Sequence, residues 1–346
     1  MSSTINPARP KWERLGTFLY RQFEASGGAP VQLNVGLALF TPGWEARNLA
    51  GLDAVTVANK ANYLLNFQAP PEFTARVSAQ RTVLKARLKG AKTLKLGLSS
   101  ATDVNMNQIR TLLRDYFGQG QSSIFIDITS LPKAYIQSIL GSIFVDGLFP
   151  HVIVGYAEGV YQPIAGDRNA ELRAVDFESA KPLLGRAGPC REKRLFAFLG
   201  VERANCYALI EKVAPDYIHI FATRSERHPE LHPENDLQVE KIRAEYADRV
   251  VQIDNVEAFS MKSFFDVIDM DLLRGGKDTA NMLFAAGTKP HAVAAALLAA
   301  AHKDTLDLRY RRPASYPDRE VAFGGRYFLF EMVDLRSERL PACDVW

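Results

Sequence analysis

The stretch Ser123-Ile124-Phe125-Ile126-Asp127-Ile128-Thr129-Ser130-Leu131-Pro132-Lys133 decides the fold. Phe125 to Ile128 form an apolar, β-branched run of the length of a buried strand. Asp127 and Thr129 put polar groups at that strand's carboxyl end. Ser130 stands where a helix N-cap is expected, and Pro132 where a first-turn proline is tolerated. Lys133 opens an apolar helical run from Ala134 to Phe144. Ligands of open α/β sheets bind outside the carboxyl ends of the strands, so this turn is where a binding site is expected.

Working outward, Leu94 to Leu98 reads as a strand and Asp103 to Phe117 as a helix with Ile109, Leu112, Leu113 and Tyr116 on one face. Beyond the Gly147–Pro150 break, His151 to Tyr156 reads as another strand. Strand, helix, strand in this order implies parallel pairing through a crossover. Residues 31–40 read as a strand, followed by a turn carrying Trp44, Glu45 and Arg47, with a helix start over 45–52. In residues 1–30, Trp12, Leu15, Phe18, Leu19 and Phe23 have helical spacing and predict an N-terminal helical extension. The basic residues of 81–98 read as solvated strands or a hairpin edge. No aromatic residues interleave with them, as a nucleic-acid stacking platform would require.

Residues 166–193 are rich in proline and glycine and read as a linker. The pattern then restarts. Strands are expected over 194–200, 217–222, 250–253, 306–310 and 327–333, and helices over 205–213, 234–247 and 260–273. Asn281 to His291 is again an apolar strand, a small-polar turn and a proline, leading into an apolar helix that runs to Ala301. The fold class expected is α/β: two tandem Rossmann-like units with mainly parallel sheets flanked by helices, over 31–165 and 194–346. In each half the first strand is followed about ninety residues later by a strand, turn, proline and apolar helix, a domain-scale repeat. Matching Pro132 to Pro290 sets Ser130 on Thr288 and Lys133 on His291, but Asp127 on Ala285.

Composition narrows the function. A net charge of +3 argues against an extended nucleic-acid face and leaves room for a local anion pocket. The cysteines Cys190, Cys206 and Cys343 form no metal-binding or CxxC spacing, which reads as reduced thiols in a cytoplasmic protein. No signal peptide or membrane span is expected. There is no nucleophile elbow, HExxH, Walker A loop or GxGxxG after the first strand, so no catalytic residue, metal or cofactor is assigned. His228 and His232, each followed by proline, read as an exposed loop rather than a metal pair.

Two motifs carry chemistry. In Asp127-x-Thr129-x-x-x-Lys133 a carboxylate, a hydroxyl and an ammonium meet a helix start, a set suited to a nucleotide. The plain structural alternative is a capped turn with Lys133 in solvent. In Gly287-Thr288-Lys289-Pro290-His291, glycine allows close backbone approach, Thr288 can cap the helix and Lys289 can meet an anion. Glu202 and Arg203 follow a strand end in the second half, as Glu45 and Arg47 do in the first, and are added to the ligand set.

The spacing of Asp127, Thr129 and Lys133 resembles the signature of CARF domains, the Rossmann-like sensors of CRISPR-associated proteins. Gly287-Thr288-Lys289-Pro290 is similar to the Gly-Thr-Lys element of that superfamily, and two such units in one chain resemble the SAVED arrangement. The resemblance implies a sensor of cyclic or linear oligonucleotides in prokaryotic anti-phage defence, acting through a separate effector chain. A homodimer or larger complex is compatible with it. The alternatives are a nucleotide-processing phosphodiesterase and a scaffold subunit of a defence complex.

Overall fold

The computed structural model describes residues 10–25, 29–98, 101–160, 174–185, 190–200, 206–274, 278–313 and 321–338. The chain divides into two units. One comprises residues 1–132, 146–163 and 318–346; the other comprises 133–145 and 164–317.

The first unit is built on a sheet ordered β1-β2-β14-β7-β6-β3-β4-β5. Its strands are β1 Glu13–Leu15, β2 Phe18–Glu24, β3 Val31–Phe40, β4 Val55–Gln68, β5 Lys92–Leu98, β6 Ser123–Asp127, β7 His151–Val160 and β14 Ala322–Asp334. The block β7-β6-β3-β4-β5 is parallel, and β14, β2 and β1 continue it antiparallel. Its helices are α1 Ala50–Ala54, α2 Thr74–Arg87 and α3 Thr102–Gly118. β3 alternates in burial over its first four residues and is buried on both faces thereafter, as a central parallel strand must be. Leu33, Val35, Phe40, Phe125, Ile153 and Tyr327 are among the residues of its core.

The second unit has a sheet ordered β11-β10-β9-β12-β13-β8, made of β8 Ala174–Leu184, β9 Glu192–Leu199, β10 Tyr217–Arg224, β11 Val250–Glu257, β12 Thr279–Ala285 and β13 Leu306–Pro313. All neighbours are parallel except β8, which runs antiparallel to β13. Its helices are α4 Lys133–Val145, α5 Cys206–Val213, α6 His232–Glu245, α7 Met261–Arg274 and α8 Lys289–Ala301. α4 and α8 pack on each other, and α8 is buried all round from Pro290 to Ala300. Its alanines suit such a helix, since they fill little space and lose no side-chain entropy.

Both parallel blocks have the same order. Counting parallel strands along the chain in each unit, the sheet reads third, second, first, fourth, fifth. The fold is two Rossmann-like α/β units with mainly parallel sheets flanked by helices, and the repeat expected from the sequence is present at the level of strand order. The boundaries differ from the expected ones. β14 completes the first unit's sheet after the second unit has been threaded, and β8, inside the expected linker, edges the second sheet. The cause is non-local pairing, which leaves no mark on local composition. The expected N-terminal helix is instead the hairpin β1–β2, closed by Gly16-Thr17 and paired with β14. Residues 81–98 hold the end of α2 and the edge strand β5, not a hairpin. Among the described residues no helix is long and apolar enough to cross a membrane.

β14 is anchored by a buried charge group. Arg21 Nε donates to Glu331 Oε2 at 2.6 Å, and His151 Nε2 donates to Glu331 Oε1 at 2.8 Å. Burial alone would raise the Glu331 carboxyl; the bonds from His151 and Arg21 outweigh it and bring the group down to about 2. A carboxyl lower in the folded than in the unfolded state stabilises the fold in full above the unfolded value of 4.5 and stops doing so as pH falls toward 2. The gap corresponds to ~3 kcal/mol. Urea titrations between pH 6 and 2.5 are expected to show this loss, and Glu331→Gln is expected to remove most of its pH dependence while costing roughly 3–5 kcal/mol at pH 7.

Candidate functional site

A strand order of this kind reverses direction beside its first strand, and ligands of such sheets bind at that point. The reversal lies between β3 and β6 in the first unit and between β9 and β12 in the second. Both motifs singled out in the sequence fall there, directly after β6 and β12.

In the first unit, Asp127 is 3% exposed. Its Oδ1 accepts the Thr129 N–H at 2.8 Å and its Oδ2 accepts the Tyr327 hydroxyl at 2.7 Å. Burial first, and the Asp127 carboxylate second, push the Tyr327 hydroxyl far above its usual range, so it stays a donor. Thr129 is fully buried, with Oγ1 accepting from Ala157 N at 3.0 Å. Asp127 and Thr129 thus spend their polar groups holding the turn to β7 and β14. Ser130 does not cap α4. The Asp127 side chain captures the Thr129 N–H, the residue before a proline is disfavoured in helix, and α4 starts only at Lys133. Ser130 Oγ and Thr41 Oγ1, at the ends of β6 and β3, are buried without a hydrogen-bond partner among the described residues. Gly43 admits Ser130 here, for a Cβ on it would collide with Ser130 Oγ. Arg47 is 3% exposed; it donates to Glu45 Oε2 at 2.7 Å and to Ala157 O at 3.0 Å, which makes it a tie between the turn and β7. Trp44 stacks on Phe73.

In the second unit, Thr288 caps α8 as its position predicts, accepting from His291 N and donating to Ala258 O at 2.5 Å. His291 is fully buried. Its Nε2 lies 2.9 Å from Glu257 O, so Nε2 carries the proton and Nδ1 is a bare acceptor, without a partner among the described residues. Burial, aided by the nearby Lys133 charge and opposed by the bond to Glu257 O, lowers its pKa to about 4. Gly287 has no room for a Cβ beside His291 Nδ1, and Gly200, at the end of β9, has none beside Gly287. Lys133, the first residue of α4, reaches this junction: its Nζ donates to Ala286 O at 3.0 Å. Lys289 is half-buried at the start of α8.

Each junction belongs to a Rossmann-like unit. No protein-family model matches the chain, and no curated protein matches it. Solved structures similar to it include a putative universal stress protein from Pseudomonas aeruginosa UCBPP-PA14, at 11% identity over 81% of this chain and 94% of that one, with a TM-score of 0.23. A universal stress protein from Archaeoglobus fulgidus DSM 4304 aligns at 12% identity over 80% and 96%, with a TM-score of 0.24. A functionally unknown protein from Pseudomonas aeruginosa PAO1 aligns at 12% over 81% and 93%, with a TM-score of 0.21.

The structure thus separates the first motif. Asp127, Thr129 and Ser130 stand in the first unit's junction, while Lys133 joins Gly287, Thr288, Lys289 and His291 in the second unit's. Glu202 and Arg203 lie outside the described residues. Of His228 and His232, expected in an exposed loop, the first directly precedes the 3-10 turn Pro229–Leu231 and the second starts α6. His228 is buried beside Glu230, and His232 Nε2 lies 3.0 Å from Ser225 O. Among the described residues no group of three or more His, Cys, Asp or Glu could hold a metal. Sequence reasoning missed Tyr327 and Thr41; a strand tyrosine two hundred residues from its partner gives no local signal.

Two outcomes are expected. Tyr327→Phe removes a donor from a buried carboxylate and is expected to cost roughly 1–3 kcal/mol in urea unfolding. His291, lower in the folded state than its usual 6.5, contributes stability that is complete above 6.5 and lost as pH falls toward 4, ~3 kcal/mol in all. The protection of α8 amides, corrected for the intrinsic exchange rate at each pH, is expected to fall in that window, before the fluorescence of Trp12 and Trp44 in the first unit reports loss of the Glu331 group.

Proposed function

We propose that the protein is a binding protein for a nucleotide-type anion, a cyclic or linear oligonucleotide, in prokaryotic anti-phage defence signalling, acting through a separate effector chain. One observation carries the reading: Lys133 is brought to the Ala286 carbonyl at the second unit's strand reversal, at the same junction as Lys289 and the start of α8. An ammonium has three N–H donors and so can serve a carbonyl and further acceptors together. Two such ammonium groups at the carboxyl end of the central strands suit phosphate oxygens. In the first unit the unpartnered hydroxyls of Ser130 and Thr41 offer hydrogen bonds at the equivalent place. The resemblance of both motifs to CARF-type sensors supports the oligonucleotide class. His291, neutral and fully buried, suits a positioning role in this site better than proton transfer.

Isothermal titration with a panel of cyclic and linear oligonucleotides tests the reading. Binding by at least one is expected. Lys133→Ala and Lys289→Ala are each expected to weaken it about tenfold or more, the worth of a charge-assisted hydrogen bond, and added salt is expected to weaken it further. No binding to folded protein, or binding indifferent to both substitutions, would overturn it.

A further inference from the structure

The second unit contains a cavity of about 380 Å³ at the amino ends of β9, β12 and β13, the edge opposite its strand reversal. That volume is within the range of small-molecule sites. Asn281 on β12 lines it, is 5% exposed, and its Oδ1 has no partner among the described residues. Leaving a buried carboxamide oxygen unpaired is unfavourable, and a bound donor would satisfy it. Asp307 is also on the wall, with Oδ2 held by Arg309 Nε at 2.6 Å, and burial raises its carboxyl while Arg309 and Ser179 oppose the rise. Lys193 lines the same cavity; its Nζ donates to Val213 O at 3.3 Å, which leaves its charge unneutralised by that contact. Met282 and Val213 supply apolar surface.

We propose that this cavity is a second binding site, separate from the carboxyl-edge junction, for a small organic acid. Its anionic group meets Lys193, its hydrogen-bonding group pairs with Asn281, and its apolar body lies on Met282 and Val213. Asn281 suits either a donor or an acceptor, because its amide can turn to present N–H or C=O.

Cys190 reports occupancy, since it lines the cavity and is half-buried. Cys206 is buried and burial pushes its thiol up to about 12, which leaves it slow to react. In a Cys343→Ser background, the rate of Cys190 modification by N-ethylmaleimide is measured against rising 8-anilinonaphthalene-1-sulfonate, an aromatic anion. Saturable protection is expected, with its midpoint shifted about tenfold or more to higher concentration in Asn281→Leu and in Lys193→Ala. Lys193 is exposed, so its variant folds and keeps the test decisive if Asn281→Leu does not. Absence of protection, or protection with the same midpoint in Lys193→Ala, would sink the proposal.

Discussion

The hydrogen bond from Tyr327 to Asp127 ties residues two hundred positions apart. It is the contact on which the nested chain order depends. Between β7 and β14 the chain makes most of the second unit, and then it must find one register on a sheet that already exists. Closing so long a loop costs only slowly more with length, but a strand that slips by one residue presents its wrong face. Buried polar partners remove that ambiguity. Along β14, Arg326 pairs with Glu158 of β7, Tyr327 with Asp127 of β6, and Glu331 with Arg21 of β2 and His151 of β7. A slipped strand would bury each of these groups unpaired. Apolar replacements could match the packing but would not penalise the slipped registers equally.

This changes the meaning of Asp127. Read from the chain alone, an acid at the end of a central strand is a ligand residue. In the fold Asp127 is 3% exposed and its carboxylate holds the β6 turn and β14 together. The second unit needs no such tie, because its fifth parallel strand, β13, is followed in the sheet by β8, which precedes the unit's other strands in the chain. Ala285 stands there without loss. The lack of an acid in the second motif, which breaks the symmetry of the two sequence patterns, follows from a difference in chain order between two otherwise equal sheets.

Most elements were legible from periodicity. The elements from α3 through α8, β8 apart, lie close to their expected bounds, because buried parallel strands are short apolar runs and α3 is amphipathic. The misreadings share one cause. Phe18, Leu19 and Phe23 have helical spacing, yet pairing with β14 makes them a strand. Residues 174–184 look like a linker because an edge strand needs fewer apolar residues and tolerates Pro182. The site was legible in position, since both motifs lie at the strand reversals, but not in partnership. Which unit receives the Lys133 ammonium, and that Tyr327 occupies Asp127, depend on contacts that no local pattern encodes.

The two junctions divide their labour by where charge can remain. Charge buried in the first is consumed internally, and what is left over is hydroxyl. In the second, the buried group is kept neutral: desolvation and the Lys133 ammonium both disfavour a protonated His291. A neutral imidazole beside an ammonium costs little, whereas an imidazolium there would repel Lys133 and any second cation. Keeping His291 uncharged therefore lets Lys133 and Lys289 occupy one junction, and their charge holds its sign across the pH range in which histidine titrates. Under the proposed function such a site would meet an anion by fixed charge, and fixed charge at the end of a rigid parallel sheet is pre-organised before any ligand arrives.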